Sequence, residues 1–349
     1  MCYLTGTAQS SSPQASIKPP QTPLKDVKLY VGEQVVGTYP KETYDSLIVV
    51  GQNLGIKLYL KGKKSLDFLH ARYEVINVAP SPNPENTNRN TDFNGSRAWS
   101  WRLEYPRLST ENNQFISVHQ TDDYGITFSL EWDGNKKAQR WTCLQHHKGI
   151  PFYKIGRTGK WTDDPNIPKE FQTHTSQYNG VGFSRGHMCM SNERQASKEQ
   201  NAQTFYISNA HPQMQSHNGG LWLRLEKQII EWAQNLDSSD TLYVVKAGTI
   251  RDDQVLEPTP SGLLVPAHFY MAVLRYKAGQ YEALAFWTDH SFEENYGKTQ
   301  DIEEFAISID ELEEKTGIDF FCNLPDNIEQ TVEKTLNIEA WKFSKKKKR

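Results

Sequence analysis

Between Val27 and Leu60 the chain gathers β-branched and aromatic residues into short runs, VKLYV, SLIVV and IKLYL, with the turn formers VGEQ and GQNLG between them. That spacing predicts a small β-rich domain. Residues 81–96, SPNPENTNRNTDFNGS, hold almost nothing apolar and predict a long loop or interdomain linker. After AWSWRLEY, the segments FISVH, ITFSLEW and QRWTCLQHH read as strands. In LWLRLEKQIIEWAQNL the period changes: Leu225, Ile229 and Trp232 fall on one stripe of a helix. TLYVVKAGTI, HFYMAVLRY and YEALAFWT return to strand, and IDELEEKTG closes the pattern as a helix. Strands and helices in separate runs, with no internal repeat, predict an α+β fold.

The ends read differently. Residues 1–25 are polar and proline-rich, cannot bury a core, and predict a flexible tether. MCYLTGTAQSSSPQ lacks the basic and apolar regions of a complete secretory signal. A cysteine followed by Ser, Pro and Gln resembles the mature start of a bacterial lipoprotein, so a lipid anchor at Cys2 stands beside the plainer reading of a polar N-terminus. The tail over 344–349, ending KKKKR, reads as a solvated charge run. The expected division is a tether over 1–25, a small domain over 26–112, a larger domain over 113–343, and the tail.

Composition narrows the classes. With 37% hydrophobic and 23% charged residues, the chain is globular. A net charge of −3 excludes a uniformly basic coat for nucleic acid, so any phosphate site must be local. No run of about 18 apolar residues offers a membrane-spanning helix. Four widely separated cysteines form neither a disulfide-dense scaffold nor a CxxC zinc pair.

Candidate chemistry centres on GVGFSRGHMCMSNER, residues 180–194. Phosphodiester hydrolysis near neutrality needs a base for water and positive charge where the phosphorane develops charge. His187 is the side chain best matched to the first task, and Arg185 offers a planar, permanent cation for the second. Gly186 allows the backbone to turn between them. Downstream, Asn218, Trp222 and Glu226 recur at four-residue steps, so an amide and a carboxylate share one helical face away from the apolar stripe. An amide oxygen suits magnesium better than zinc, with Glu226 reaching the ion through its waters. An N-cap fits Asn218 equally well, and both readings stand. Cys189 reads as a small buried hydrophobe.

Several blocks in order, GFSRGHM, QTFYISNAHPQ, HNGGLWLRLE, VPAHFYMAVL and IDELEEKTGIDFFCNLP, resemble the DNA/RNA non-specific endonucleases of the ββα-metal superfamily, from about residue 113 to 340. The resemblance implies a central antiparallel sheet flanked by helices, preceded here by the small β-rich domain. It implies a Mg2+-dependent endonuclease cutting DNA and RNA, with Mn2+ able to substitute and no small-molecule cofactor. His187 would be the general base, Asn218 the magnesium ligand, Glu226 an outer partner of the ion's waters, and Arg185 a phosphate contact. Arg157, in GRTGKW, would touch the scissile phosphate, and Asn209 would help arrange the cleft. The family signature begins with aspartate, whereas this chain has Ser184.

Two other readings compete. His187, His211 and His217 could ligate zinc, although no pair has the i, i+4 helical spacing. A catalytically weakened, nuclease-like surface protein that binds nucleic acid or a partner is the other. Because a non-specific nuclease endangers its own genome, an extracellular, periplasmic or cell-surface location is expected.

Overall fold

Short β-rich runs at the start of the chain pair with near neighbours, as their turn spacing dictates. β1 (Val27–Val31), β2 (Gln34–Tyr39), β3 (Tyr44–Val50), β4 (Gly55–Leu60), β5 (Ser65–Leu69) and β6 (Ala71–Val75) form two three-stranded antiparallel sheets, ordered β2-β1-β6 and β3-β4-β5. Val27, Leu29, Tyr44, Ile56 and Leu58 make their common core. The computed structural model describes residues 27–31, 34–39, 44–50, 55–61, 65–69, 71–75, 86–91, 97, 99–291, 293 and 296–343. The N-terminal segment with Cys2 and the basic tail over 344–349 lie outside the described residues.

The chain divides into two compact units, Met1–Ser81 and Pro82–Arg349. Residues 86–91, inside the Asn- and Pro-rich stretch, belong to the second and are tied into it. Asn86 donates to Leu324 O at 2.6 Å, and buried Asn90 donates to Ser100 O and Pro106 O at 3.0 and 3.1 Å. Asparagine amides here satisfy buried carbonyls that would otherwise be stranded.

In the second unit, β7 (Gln114–Thr121), β8 (Gly125–Asp133) and β9 (Ala138–His146) precede β10 (Ser184–His187), α1 (Lys198–Gln203) and β11 (Ala210–Gln213). Then come α2 (Gln215–His217), α3 (Leu223–Gln234), β12 (Thr241–Gly248), β13 (Val255–Leu256) and β14 (Val265–Pro266). β15 (His268–Lys277), β16 (Gln280–Asp289), β17 (Ala306–Ile307), α4 (Ile309–Thr316) and α5 (Asp326–Lys334) complete it. Seven strands form one antiparallel sheet ordered β17-β16-β15-β12-β9-β8-β7.

This sheet is covered on both faces, which explains why HFYMAVLRY lacks alternation. Phe269, Met271 and Val273 face the layer containing α3, whereas Tyr270, Ala272 and Leu274 face the layer containing α4 and α5. Leu225, Ile229 and Trp232 bring the predicted apolar stripe of α3 into the first layer. The architecture is the expected α+β fold with a central antiparallel sheet between helices. Cys143, Cys189 and Cys322 are free and buried.

Candidate active site

SRGH forms a strand, and AHPQ pairs with it antiparallel, placing His187 opposite Ala210 and Gly186 opposite His211. The ribbon runs directly into the α2–α3 helix, giving a ββα unit. Strand alternation puts Arg185 and His187 on one face and Ser184 and Gly186 on the other. A Cβ on Gly186 would overlap the Gln213 side chain, lying 2.8 Å from its Cβ, so glycine suits this close crossing. Ser184 donates to Gln215 Oε1 at 2.6 Å and fastens the strand to the start of the helix, a short tether that needs no carboxylate.

Asn209 locks the next turn. Fully buried, it accepts from Cys189 N at 2.8 Å and donates to Cys189 O and Thr204 O at 2.9 and 2.8 Å. Its amide is spent on backbone, so it positions the segment after His187 and does not face the cleft.

The helix does not begin where its sequence suggests. Asn218 has right-handed helical angles (φ −58°, ψ −49°), and its N–H donates to Met214 O at 2.8 Å, so it lies inside the helix and not at an N-cap. Residues Asn218–Trp222 form a wide π-type turn, with Gly220 far from helical geometry (φ −106°, ψ −107°). Such bulges re-aim side chains within a helix. The half-buried Asn218 side chain makes no hydrogen bond among the described residues.

Trp222, between Asn218 and Glu226, donates its indole N–H to His187 O at 3.3 Å and so ties helix to strand. Glu226 is 4% exposed, and its enclosed Oε1 has no partner. Burial pushes its carboxyl up to about 8, although Lys246 pulls the other way. His187 Nε2 is likewise enclosed and unpartnered. Burial, then the Arg157 cation, pushes this imidazole down to about 3, so it is neutral at pH 7. Arg157, Glu193 and Lys246 bear on both His187 and Glu226, which places the two groups in one electrostatic neighbourhood.

Arg157 lies on the loop after β9 and is exposed over the Phe205 ring at 5.1 Å. Phe205 meets the His187 ring edge-on at 5.1 Å, and Trp161 lies 4.5 Å from it. The loop is irregular but pinned: Thr158 N donates to Asn201 Oδ1 at 3.0 Å, and Thr162 N to Phe205 O at 3.1 Å. Arg185 does not bear on the imidazole as Arg157 does. It donates to Thr175 O at 3.1 Å and lies over the Tyr178 ring at 5.4 Å, while its buried Nε has no partner.

Beneath the site is a buried charge network that the motifs did not reveal. Lys246 on β12 and Glu193 pair at 2.7 Å with both side chains fully inaccessible, and His146 Nε2 meets Glu193 at 3.3 Å. Burial drives the Glu193 carboxyl upward, but Lys246 and His146 prevail and hold it near about 2. A lysine inside the apolar run TLYVVKAG was the available signal, because an unpaired ammonium is not buried.

The zinc triad does not assemble. Among the described residues, the only three His, Cys, Asp or Glu side chains with converging ligand atoms are Asp310, Glu313 and Glu333. His217 instead accepts from Gln213 Nε2 at 2.7 Å and donates to Thr288 Oγ1 at 3.1 Å. His290 accepts from Met214 N at 2.7 Å and donates to Pro266 O at 2.7 Å, a structural role.

A strand ribbon running into a helix beside an antiparallel sheet is the arrangement that the resemblance to the ββα-metal nucleases implies. The family of DNA/RNA non-specific endonucleases matches residues 109–327, and the chain belongs to it. The human mitochondrial nuclease EXOG is 29% identical over 254 residues, covering 68% of this chain and 64% of its own. Its zebrafish (Danio rerio) counterpart is 31% identical over 203 residues, covering 55% and 58%. The nuclease of Serratia marcescens is 23% identical over 209 residues, covering 59% and 76%. The chain thus spans about three-fifths of the length of these mitochondrial relatives. A solved structure of the EndoG/EndoGI complex shares the fold with a TM-score of 0.54 at 18% identity, covering 68% of this chain and 96% of the other. The expected extracellular, periplasmic or cell-surface location is overturned, because relatives from human, mouse, frog and fission yeast are mitochondrial nucleases. The hazard argument behind that expectation separates a nuclease from its genome but does not choose between export and an organelle.

Proposed function

We propose that the chain is a Mg2+-dependent, sugar-non-specific endonuclease that hydrolyses phosphodiester bonds of DNA and RNA to 5′-phosphate ends, with residues 113–343 as its nuclease domain. The observation that carries this reading is that His187 Nε2 and Glu226 Oε1, both enclosed and unpartnered, answer to the same charges. A buried polar atom without a partner costs about 1–3 kcal/mol, so two that share the same charged neighbours support a site built for a ligand.

His187 is the general base that takes a proton from the attacking water. Its neutral state at pH 7 leaves Nε2 free to accept. A phosphate drawn towards Arg157 offsets that cation and moves the imidazole back towards the range where a base works. Arg157, exposed and braced on Phe205, binds the scissile phosphate, and Arg185 supports it from the strand face that carries His187. Asn209 positions the turn after the base.

Asn218 and Glu226 offer hard oxygens as ligands, and the Asn218 side chain and Glu226 Oε1 have no partner among the described residues, which fits Mg2+ and also Mn2+ better than zinc. Asn218 would hold the ion directly, and Glu226 would hold its waters. When bound, the ion supplies positive charge against the developing charge of the leaving oxygen.

Plasmid DNA and RNA incubated with the purified chain should be degraded only when Mg2+ is present. His187→Ala should lower the rate about 10²–10⁴-fold, and Asn218→Ala should abolish the response to the ion. An inert parent that binds nucleic acid without cutting it, with His187→Ala indistinguishable, would replace this reading with that of a weakened, binding-only relative.

A further inference from the structure

The sheet face opposite the ββα unit carries a separate cluster of carboxyl groups. α4 presents Asp310 and, one turn on, Glu313, while α5 presents Glu333, and one ligand oxygen from each lies within 4.8 Å of the others. These helices cover the second core layer through Ile309, Leu312 and Val332. His187 and Trp222 belong to the other side, where Trp222 sits in the first layer.

Glu333 is 7% exposed, its Oε1 is enclosed, and its side chain makes neither a hydrogen bond nor an ion pair among the described residues. The largest charge effects on it all come from other carboxyl groups: Glu313, Glu329, Asp319 and Asp310. None of Asp310, Glu313 and Glu333 pairs with Lys or Arg among the described residues, and nearby Lys315 is engaged with Glu311 at 3.5 Å. Buried carboxylates are normally paired or bound to a cation. The two peripheral members already share one donor, since Asn88 Nδ2 reaches Glu329 Oε1 at 2.8 Å and Asp319 Oδ2 at 3.2 Å. Of the inner three, Glu313 accepts from Phe320 N at 2.7 Å, while Asp310 and Glu333 have no donor among the described residues.

We propose that Asp310, Glu313 and Glu333 form a binding site for a calcium ion, which clasps α4 to α5 and is distinct from the ion held at Asn218. Calcium lies about 2.4 Å from its oxygens, so oxygens on opposite sides of it are about 4.8 Å apart, and all three carboxylates fall within one such span. Calcium also accepts irregular, carboxylate-rich shells, whereas magnesium demands a tighter octahedron and keeps most of its waters.

Calorimetric titration of the full chelator-treated chain with CaCl2 at neutral pH should show one bound ion that is unaffected by Asn218→Ala. Glu333→Gln should weaken the binding by about tenfold or more and remove the rise in melting temperature that calcium gives the parent. The half-buried Asp310→Asn is the second variant and should weaken binding in the same way should Glu333→Gln fold poorly. No binding in the parent, equal affinity in both variants, or binding lost in Asn218→Ala would each overturn the assignment. The last outcome would place calcium at the nuclease site and leave the nuclease reading standing.

Discussion

Replacing Lys246 with methionine removes the ammonium with which Glu193 is buried. Glu193 keeps its proton only below about 2, against an ordinary value of 4.5. At about 1.4 kcal/mol per tenfold, that gap corresponds to about 3 kcal/mol of folding stability. Because the folded value is depressed, this stability is complete above pH 4.5 and is lost as the pH falls towards 2. Breaking a buried pair from one side costs about 3–5 kcal/mol, a loss of the same size. At about 2–4 °C per kcal/mol, Lys246→Met should lower the unfolding midpoint by about 6–20 °C near neutrality. Thermal unfolding followed by circular dichroism measures it, with Glu193→Gln and the double variant completing a cycle. The double variant should be less unstable than the sum of the singles by about 1–3 kcal/mol. A Lys246→Met chain within about 1 kcal/mol of the parent, or a cycle that is simply additive, would refute the reasoning.

Gly186→Ala places a Cβ 2.8 Å from Gln213 Cβ and should cost about 1–3 kcal/mol while lowering nuclease activity, because Gln213 also holds His217 at 2.7 Å. Adding Gln213→Gly should recover part of the stability, and an unchanged melting curve and rate in Gly186→Ala would contradict the contact. Glu226 is raised to about 8, so without metal the chain should lose stability as pH rises from 4.5 towards 8, and Glu226→Gln should flatten that slope in unfolding experiments. Mg2+ binding should also tighten with pH over the same window and release a proton, which titration in two buffers of different ionisation enthalpy would reveal or rule out. Asn209→Leu leaves three backbone groups without their partner and should cost about 2–5 kcal/mol in urea unfolding, with activity lost in parallel.

The ββα unit was legible because its signals are local: RGH before a strand partner, then an apolar stripe at helical spacing. Its supports were not, since they join residues far apart. Glu193 and Lys246 stand 53 positions apart, and nothing near either announces the other. Asn218 was ambiguous in sequence because Gly219 and Gly220 look like a helix start, whereas the backbone spends them on a π-type turn inside a helix already begun at Gln215. Arg185 and Arg157 exchanged prominence for a similar reason. The motif favours the first, but folding brings the loop-borne second beside the imidazole. The Asn-rich stretch reads as a long loop or interdomain linker from polarity alone, while Asn86 and Asn90 bond to carbonyls inside the second unit.

The three buried thiols offer a way to watch this molecule come apart. Cys189 sits beside the base in one core layer, Cys143 lies in the other, and Cys322 is held against Tyr105 O at 3.8 Å near the Asn90 segment. Burial pushes Cys189 up to about 12 and the other two upward as well, so none offers thiolate in the native state. An alkylating reagent therefore reaches these three sulfurs only when a region opens, and the order in which they are captured ranks the layers by how readily each lets go.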